Sequence, residues 1–136
     1  MECYNIKFKK LTIIITKSIY NNKLRLLFRM ELILDKKPKN ATIIEGFPGF
    51  GLVSTITTEY LISHLNAEQI GKIEFEELPP VVAVHGGDVI EPIGIFYAKK
   101  YNLVILHALT SVNGFEWNIA KKVTELSKIL DAKEII

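Results

Sequence analysis

The chain has 136 residues, 49% of them apolar and 24% charged, and carries a net charge of +2. This is the profile of one globular domain, able to bury roughly two thirds of its unfolded surface, and it excludes an intrinsically disordered chain. The single Cys3 excludes an internal disulfide framework and points to a reducing, intracellular compartment.

The charge is unevenly placed. Residues 1–30 hold seven basic side chains (Lys7, Lys9, Lys10, Lys17, Lys23, Arg25, Arg29) against Glu2, a net of +6, which leaves ten basic and fourteen acidic residues, a net of −4, for the rest. We read residues 1–30 as a basic, poorly ordered N-terminal extension and 31–136 as a single α/β domain, the composition changing at Met30. An acidic body offers no basic face for nucleic acid, so no nucleic-acid partner is expected for it. Phosphate contacts to RNA, or binding of an acidic partner, are the rival role for the extension alone. The longest early apolar run, Leu11–Ile15, is too short for a membrane span or a signal-peptide core, so a soluble, cytoplasmic protein with no membrane partner is expected.

Leu32–Leu34 reads as a strand, Asp35–Asn40 as a polar turn containing Pro38, and Ala41–Glu45 as a second strand, so that a hairpin is predicted. Glu45-Gly46-Phe47-Pro48-Gly49-Phe50-Gly51-Leu52-Val53 then joins a β-branched strand to a helix over 51–65. Only Glu59 is formally charged in that helix. Leu52, Val53, Ile56 and Tyr60 fill one sector, Leu61, Ile62 and Leu65 lie elsewhere, and Ser54, Thr55, Thr57 and Thr58 cover most of the remainder. A helix with almost no solvated face is covered on more than one side, and a second subunit is the expected cover. The interface candidates are Phe47, Phe50, Ser54, Thr55, Thr58, Leu61, Ile62 and Leu65, the small side chains permitting close approach of another helix. A helix lying between the sheet and the N-terminal extension is the alternative.

The alternation in Lys72-Ile73-Glu74-Phe75-Glu76 marks a half-buried strand ended by Leu78-Pro79-Pro80. Val81–Val84 and Ile93–Ala98 are apolar runs of strand length and read as a central hairpin, followed by a turn at Lys99–Asn102 and a strand at Leu103–Leu109. Four successive strands without helices imply antiparallel pairing within a mixed sheet. Asn113 and Glu116 have the spacing of a capping box, introducing a helix with Ile119, Val123, Leu126 and Leu130 inward. Its polar face carries Lys121, Lys122, Glu125 and Lys128, with Lys121 and Glu125 spaced for an i,i+4 pair. Glu134–Ile136 reads as a strand of three residues where about five or six are usual, so the fold is expected to be incomplete at its C-terminus.

Gly46, Gly49 and Gly51 before a helix form the weak candidate for an anion site, since N–H groups at a helix start attract phosphate. Their order is GxxGxG, no Lys-Ser/Thr pair follows, and Glu45 places a negative charge alongside, which favours a structural turn. His64, His85 and His107 lie on three elements, so no metal spacing is present. His85 with Asp88 reads as lining a cleft, and His107 as packed in its strand. Ser111 is outside any nucleophile elbow, and Asp88 with Glu91 in a Gly/Pro hairpin reads as a solvated pair rather than an acid/base couple. Trp117 reads as core or interface. No catalytic, cofactor or metal residues are therefore assigned.

Ile43 through Val53 with the hydroxyl-rich helix, Glu77-Leu78-Pro79-Pro80, His85-Gly86-Gly87, and Thr110-Ser111-Val112-Asn113-Gly114 before a helix occur in an order that resembles the archaeal proteasome assembly chaperone family, relatives of the second eukaryotic assembly chaperone. The resemblance covers about Leu32 to Ile136 and leaves residues 1–29 unmatched. It implies a mixed β-sheet flanked by helices, as in nucleoside phosphorylases and related hydrolases but without their catalytic groups. It also implies a non-enzymatic homo-oligomer that binds proteasome α-subunits. The chain lacks the C-terminal hydrophobic-Tyr-X tail by which some members dock, and it ends before their further strands and helices. A phosphorylase-like enzyme binding phosphate or nucleoside through the glycine loop is the alternative function.

Overall fold

The computed structural model describes residues 30–77, 81, 83–85 and 87–136. Residues 1–29 of the N-terminal extension, with Cys3, the Leu78-Pro79-Pro80 segment, Val82 and Gly86 lie outside the described residues.

Six strands form one mixed sheet: β1 (Met30–Leu34), β2 (Thr42–Gly46), β3 (Glu68–Phe75), β6 (Ile93–Ala98), β7 (Leu103–Ala108) and β8 (Glu134–Ile135). Their order across the sheet is β1-β3-β6-β7-β2-β8. The half from β1 to β7 is antiparallel, whereas β2 runs parallel to both β7 and β8. The mixed sheet expected from the run of strands is present. Its first hairpin is not, because β1 pairs with β3 and β2 lies on the far side of β7. The polar turn at 35–40 crosses the sheet instead of folding back. It is tied down by Asn102, whose amide donates to the carbonyls of Lys39 (3.1 Å) and Asn40 (2.9 Å).

The central hairpin is also redrawn. β4 (Ala83–His85) pairs with β5 (Asp88–Ile90) in a separate two-stranded ribbon, and β6 joins β3 and β7 in the main sheet. Continuous apolarity identified the strands but could not distinguish a short ribbon from two central strands. The turn at Lys99–Tyr101 with Asn102 in the left-handed region (φ 48°) and the strand after it follow the sequence reading.

Alternation along the strands divides the sheet into two faces. On one, Ile43, Ile95, Val104 and Leu106 join Ile119, Val123, Leu126 and Leu130 of helix α2 (Glu116–Leu130) in the main core. Each such burial contributes about 1.5–3 kcal/mol. The other face carries Ile44, Phe96, Ile105 and His107 and is covered by helix α1 (Val53–His64), which lies against β2 and β7. The result is a helix–sheet–helix sandwich, which carries the α/β reading.

α2 begins later than its capping box predicts. Phe115, not Asn113, precedes the first turn, and no side chain caps it. Glu116 reaches back only as far as the N–H of Gly114 (2.9 Å), where φ is +85°. That contact holds its carboxyl below the usual range. The charge pair on the polar face is Lys122 with Glu125 (2.7 Å, i,i+3) rather than Lys121 with Glu125.

Candidate protein-interaction surface

The glycine run builds a sharp change of direction. Gly46 is the last residue of β2, and a Cβ there would collide with the Thr58 side chain, so its lack of one lets α1 sit directly on the strand. Gly51 (φ +74°) and Leu52 (φ +55°) are both left-handed, which suits glycine and costs a bulky residue about 1–3 kcal/mol. The loop is secured to the helix by the Ser54 hydroxyl, which donates to the Phe47 carbonyl. Past this corner Phe50 and Leu52 project outward, at 106% and 52% exposure.

α1 is then laid on the sheet by its hydroxyl face. Thr55 and Thr58 are its buried residues. Thr55 Oγ1 donates to the Ala108 carbonyl (3.3 Å), and Thr58 Oγ1 lies 2.8 Å from His107 Nδ1. His107 is paired in register with Gly46 on β2 and Gly94 on β6, so the strands on both sides present no side chain on its face. That gap admits the imidazole and the threonine. Burial pushes the His107 pKa down, with the Glu59 charge opposing.

Because Thr55 and Thr58 face inward, the sector that holds Val53, Ile56 and Tyr60 faces out. Val53 (68%), Ile56 (60%) and Tyr60 (62%) stand in solvent with Leu52, and Tyr60 stacks on His64 at a 5.3 Å centroid distance. The polarity of this helix is inverted relative to α2, and a contiguous exposed apolar patch of this kind marks an interaction surface.

The sequence-predicted interface residues are divided by this geometry. Phe50 is wholly exposed; Leu61, Ile62 and Leu65 are half-buried. Phe47 packs against the main core and lines an apolar groove with Val112, Ile119 and Ile135. Ser54, Thr55 and Thr58 are spent within the chain: their small size allows close approach to the sheet, not to another helix. The residues that take their place on the outer surface are Leu52, Val53, Ile56 and Tyr60.

Gly46, Gly49 and Gly51 sit at the strand end, before the turn and within it, with Glu45 exposed beside them. Gly49 also accepts from the Leu52 N–H through its carbonyl (3.1 Å). Of the other singled-out residues, Glu91 pairs with Lys72 (3.0 Å), raising the lysine pKa, and Trp117 is 81% exposed on α2 and outside the core. Among the described residues no group of three or more His, Cys, Asp or Glu could hold a metal ion, and no helix is long and apolar enough to cross a membrane.

Residues 43–136, which include all of β2 but Thr42, the glycine corner and both helices, match the model of the PAC2 family. The chain belongs to the PAC2 family. In three dimensions it is similar to Pyrococcus furiosus PbaA, an archaeal homolog of proteasome-assembly chaperone, with a TM-score of 0.69 and 28% identity over 79% of this chain and 46% of that one. It is also similar in fold to Pyrococcus furiosus PbaB, an archaeal proteasome activator, with a TM-score of 0.63 and 23% identity over 78% of this chain and 49% of that one. In sequence, an uncharacterized protein of Methanocaldococcus jannaschii, MJ0106, is 28% identical over 86 residues, covering 61% of this chain and 36% of the relative. The chain thus spans less than half the length of each of these relatives.

Proposed function

We propose that this protein is a non-enzymatic proteasome assembly chaperone or proteasome-associated scaffold of the cytoplasm. It acts as a homo-oligomer that binds α-subunits of the 20S proteasome. The likeness to PbaA, over 79% of this chain, carries this reading. The outer face of α1 is the self-association surface: Leu52, Val53, Ile56 and Tyr60 make it apolar, as the cores of homodimer interfaces are. A helix that packs on its own symmetry mate presents the same patch twice, so one apolar stripe is sufficient.

The proteasome assignment is tested by affinity capture with purified α-subunits. Retention of the α-subunits by the immobilised full-length protein is the expected result; failure to retain them, at concentrations where the protein is oligomeric, overturns the assignment.

A further inference from the structure

The apolar stripe on α1 continues past the start of the helix. Phe50, in the corner just before it, is 106% exposed, so a whole phenyl ring stands in water at one end of the stripe. An aromatic ring is among the side chains with most to gain from a dry pocket.

A pocket of the right size lies at the other end of the same helix. It is a cavity of about 240 Å³ beside the C-terminal half of α1, lined on its apolar side by Ile62, Ala67, Ile90 of β5 and Phe96 of β6. Ser63 and Asn66, both exposed, also line it and place its rim at the surface. An apolar cavity of about 150 Å³ takes up benzene, so a phenyl ring fits here. The Phe50 of the same chain cannot supply that ring, because most of α1, 12 residues and about 18 Å long, lies between corner and cavity.

A second copy can. The exposed positions Val53, Ile56, Thr57 and Tyr60 are symmetric about the midpoint between Ile56 and Thr57. A two-fold axis through that midpoint, with the helices antiparallel, sets Val53 against Tyr60 of the partner subunit and Ile56 against Thr57 of the partner subunit. The same register carries Phe50 to Ser63 of the partner subunit, at the rim of the cavity.

We propose that Phe50 of each copy inserts into the cavity beside α1 of a second copy, so that two equivalent contacts flank the helix pair. This contact rests on the reading of α1 as the self-association surface and fixes the register of that surface. It also gives the separate β4–β5 ribbon a role, since Ile90 forms one wall of the socket.

Sedimentation velocity of the full chain over a concentration series tests the contact, comparing the wild type with Phe50→Ala, with Ala67→Leu, and with an equimolar mixture of the two variants. Phe50→Ala deletes the ring at a fully exposed site, and Ala67→Leu fills the socket. Loss of an interface aromatic weakens association by about tenfold or more, so removing both rings of a two-fold pair should raise the dissociation constant about a hundredfold. In the mixture, the ring of the Ala67→Leu chain meets the open cavity of the Phe50→Ala chain. One contact is restored, and the mixture should associate about tenfold more tightly than either variant alone. Either variant associating as the wild type does overturns the socket, as does a mixture no tighter than its components. Should Ala67→Leu fail to fold, Ser63→Trp at the exposed rim takes its place as the block. Ile56→Glu/Tyr60→Glu separates the socket from the reading beneath it. A wild type that is dissociated by this double variant but not by Phe50→Ala removes the socket and leaves α1 as the surface, whereas a wild type that is monomeric throughout removes both.

Discussion

The two helices cover opposite faces of one sheet and do so by opposite chemistry. α2 buries Ile119, Val123, Leu126 and Leu130 and turns lysines and glutamates outward. α1 buries Thr55 and Thr58 and turns Leu52, Val53, Ile56 and Tyr60 outward with its N-terminal corner. α2 thus has what a helix needs to stabilise this fold alone, while α1 keeps its largest apolar side chains for something outside it. Stability should therefore be concentrated in α2 and its face of the sheet, and association in α1.

The largest expected effect comes from the α2 side. Leu126→Ala removes a side chain with no exposure and should cost about 2–5 kcal/mol in urea unfolding. A cost below about 1 kcal/mol would mean that α2 is not the principal seal of the core. On the α1 side, Thr58→Val keeps the shape and removes the hydroxyl that hydrogen-bonds His107, leaving Nδ1 without its partner. A loss of about 1–3 kcal/mol is expected from the midpoint of the same transition. Gly46→Ala, which drives a methyl into Thr58, should fall in a similar range of about 1–3 kcal/mol as an overpacking change.

The fourth prediction concerns pH. Burial lowers the His107 pKa from 6.5, so the unfolded chain takes up a proton where the folded chain does not. Stability should be full above pH 6.5 and decline as pH falls through that value towards the folded-state pKa, with a slope of at most about 1.4 kcal/mol per pH unit for one proton. Denaturant midpoints between pH 7.5 and 5 measure it, and His107→Gln should flatten that part of the profile. The smallest effect is expected on the outer face of α1, where Ile56→Ser should alter unfolding of the monomer by no more than about 0.5 kcal/mol.

The contrast between the helices was only half legible in the sequence. For α2, the spacing of Ile119, Val123, Leu126 and Leu130 identified the inward face, because an aliphatic stripe among charges leaves one answer. For α1, the same reasoning found a helix with no solvated face but not its orientation. Hydrophobicity ranks Ile56 and Tyr60 as more buryable than Thr55 and Thr58, and the tertiary arrangement reverses that order: Gly46 and Gly94 open a slot that fits threonine and the His107 ring. The pairing of His107 with those glycines depends on strand register, which local patterns do not encode. For the same reason, the 81–98 region was read as one hairpin in place of a ribbon followed by a sheet strand. The glycine corner is legible in the sequence as a strand-to-helix turn.

The central claim is that the exposed face of α1 serves association and not folding. Sedimentation velocity over a concentration series, comparing the wild-type chain with Ile56→Glu/Tyr60→Glu, tests it most directly. The account predicts a concentration-dependent oligomer for the wild type and a monomer for the double variant, with unchanged circular dichroism and thermal midpoint at the lowest concentration. A wild type that stays monomeric throughout, or a double variant that assembles as the wild type does, would contradict it.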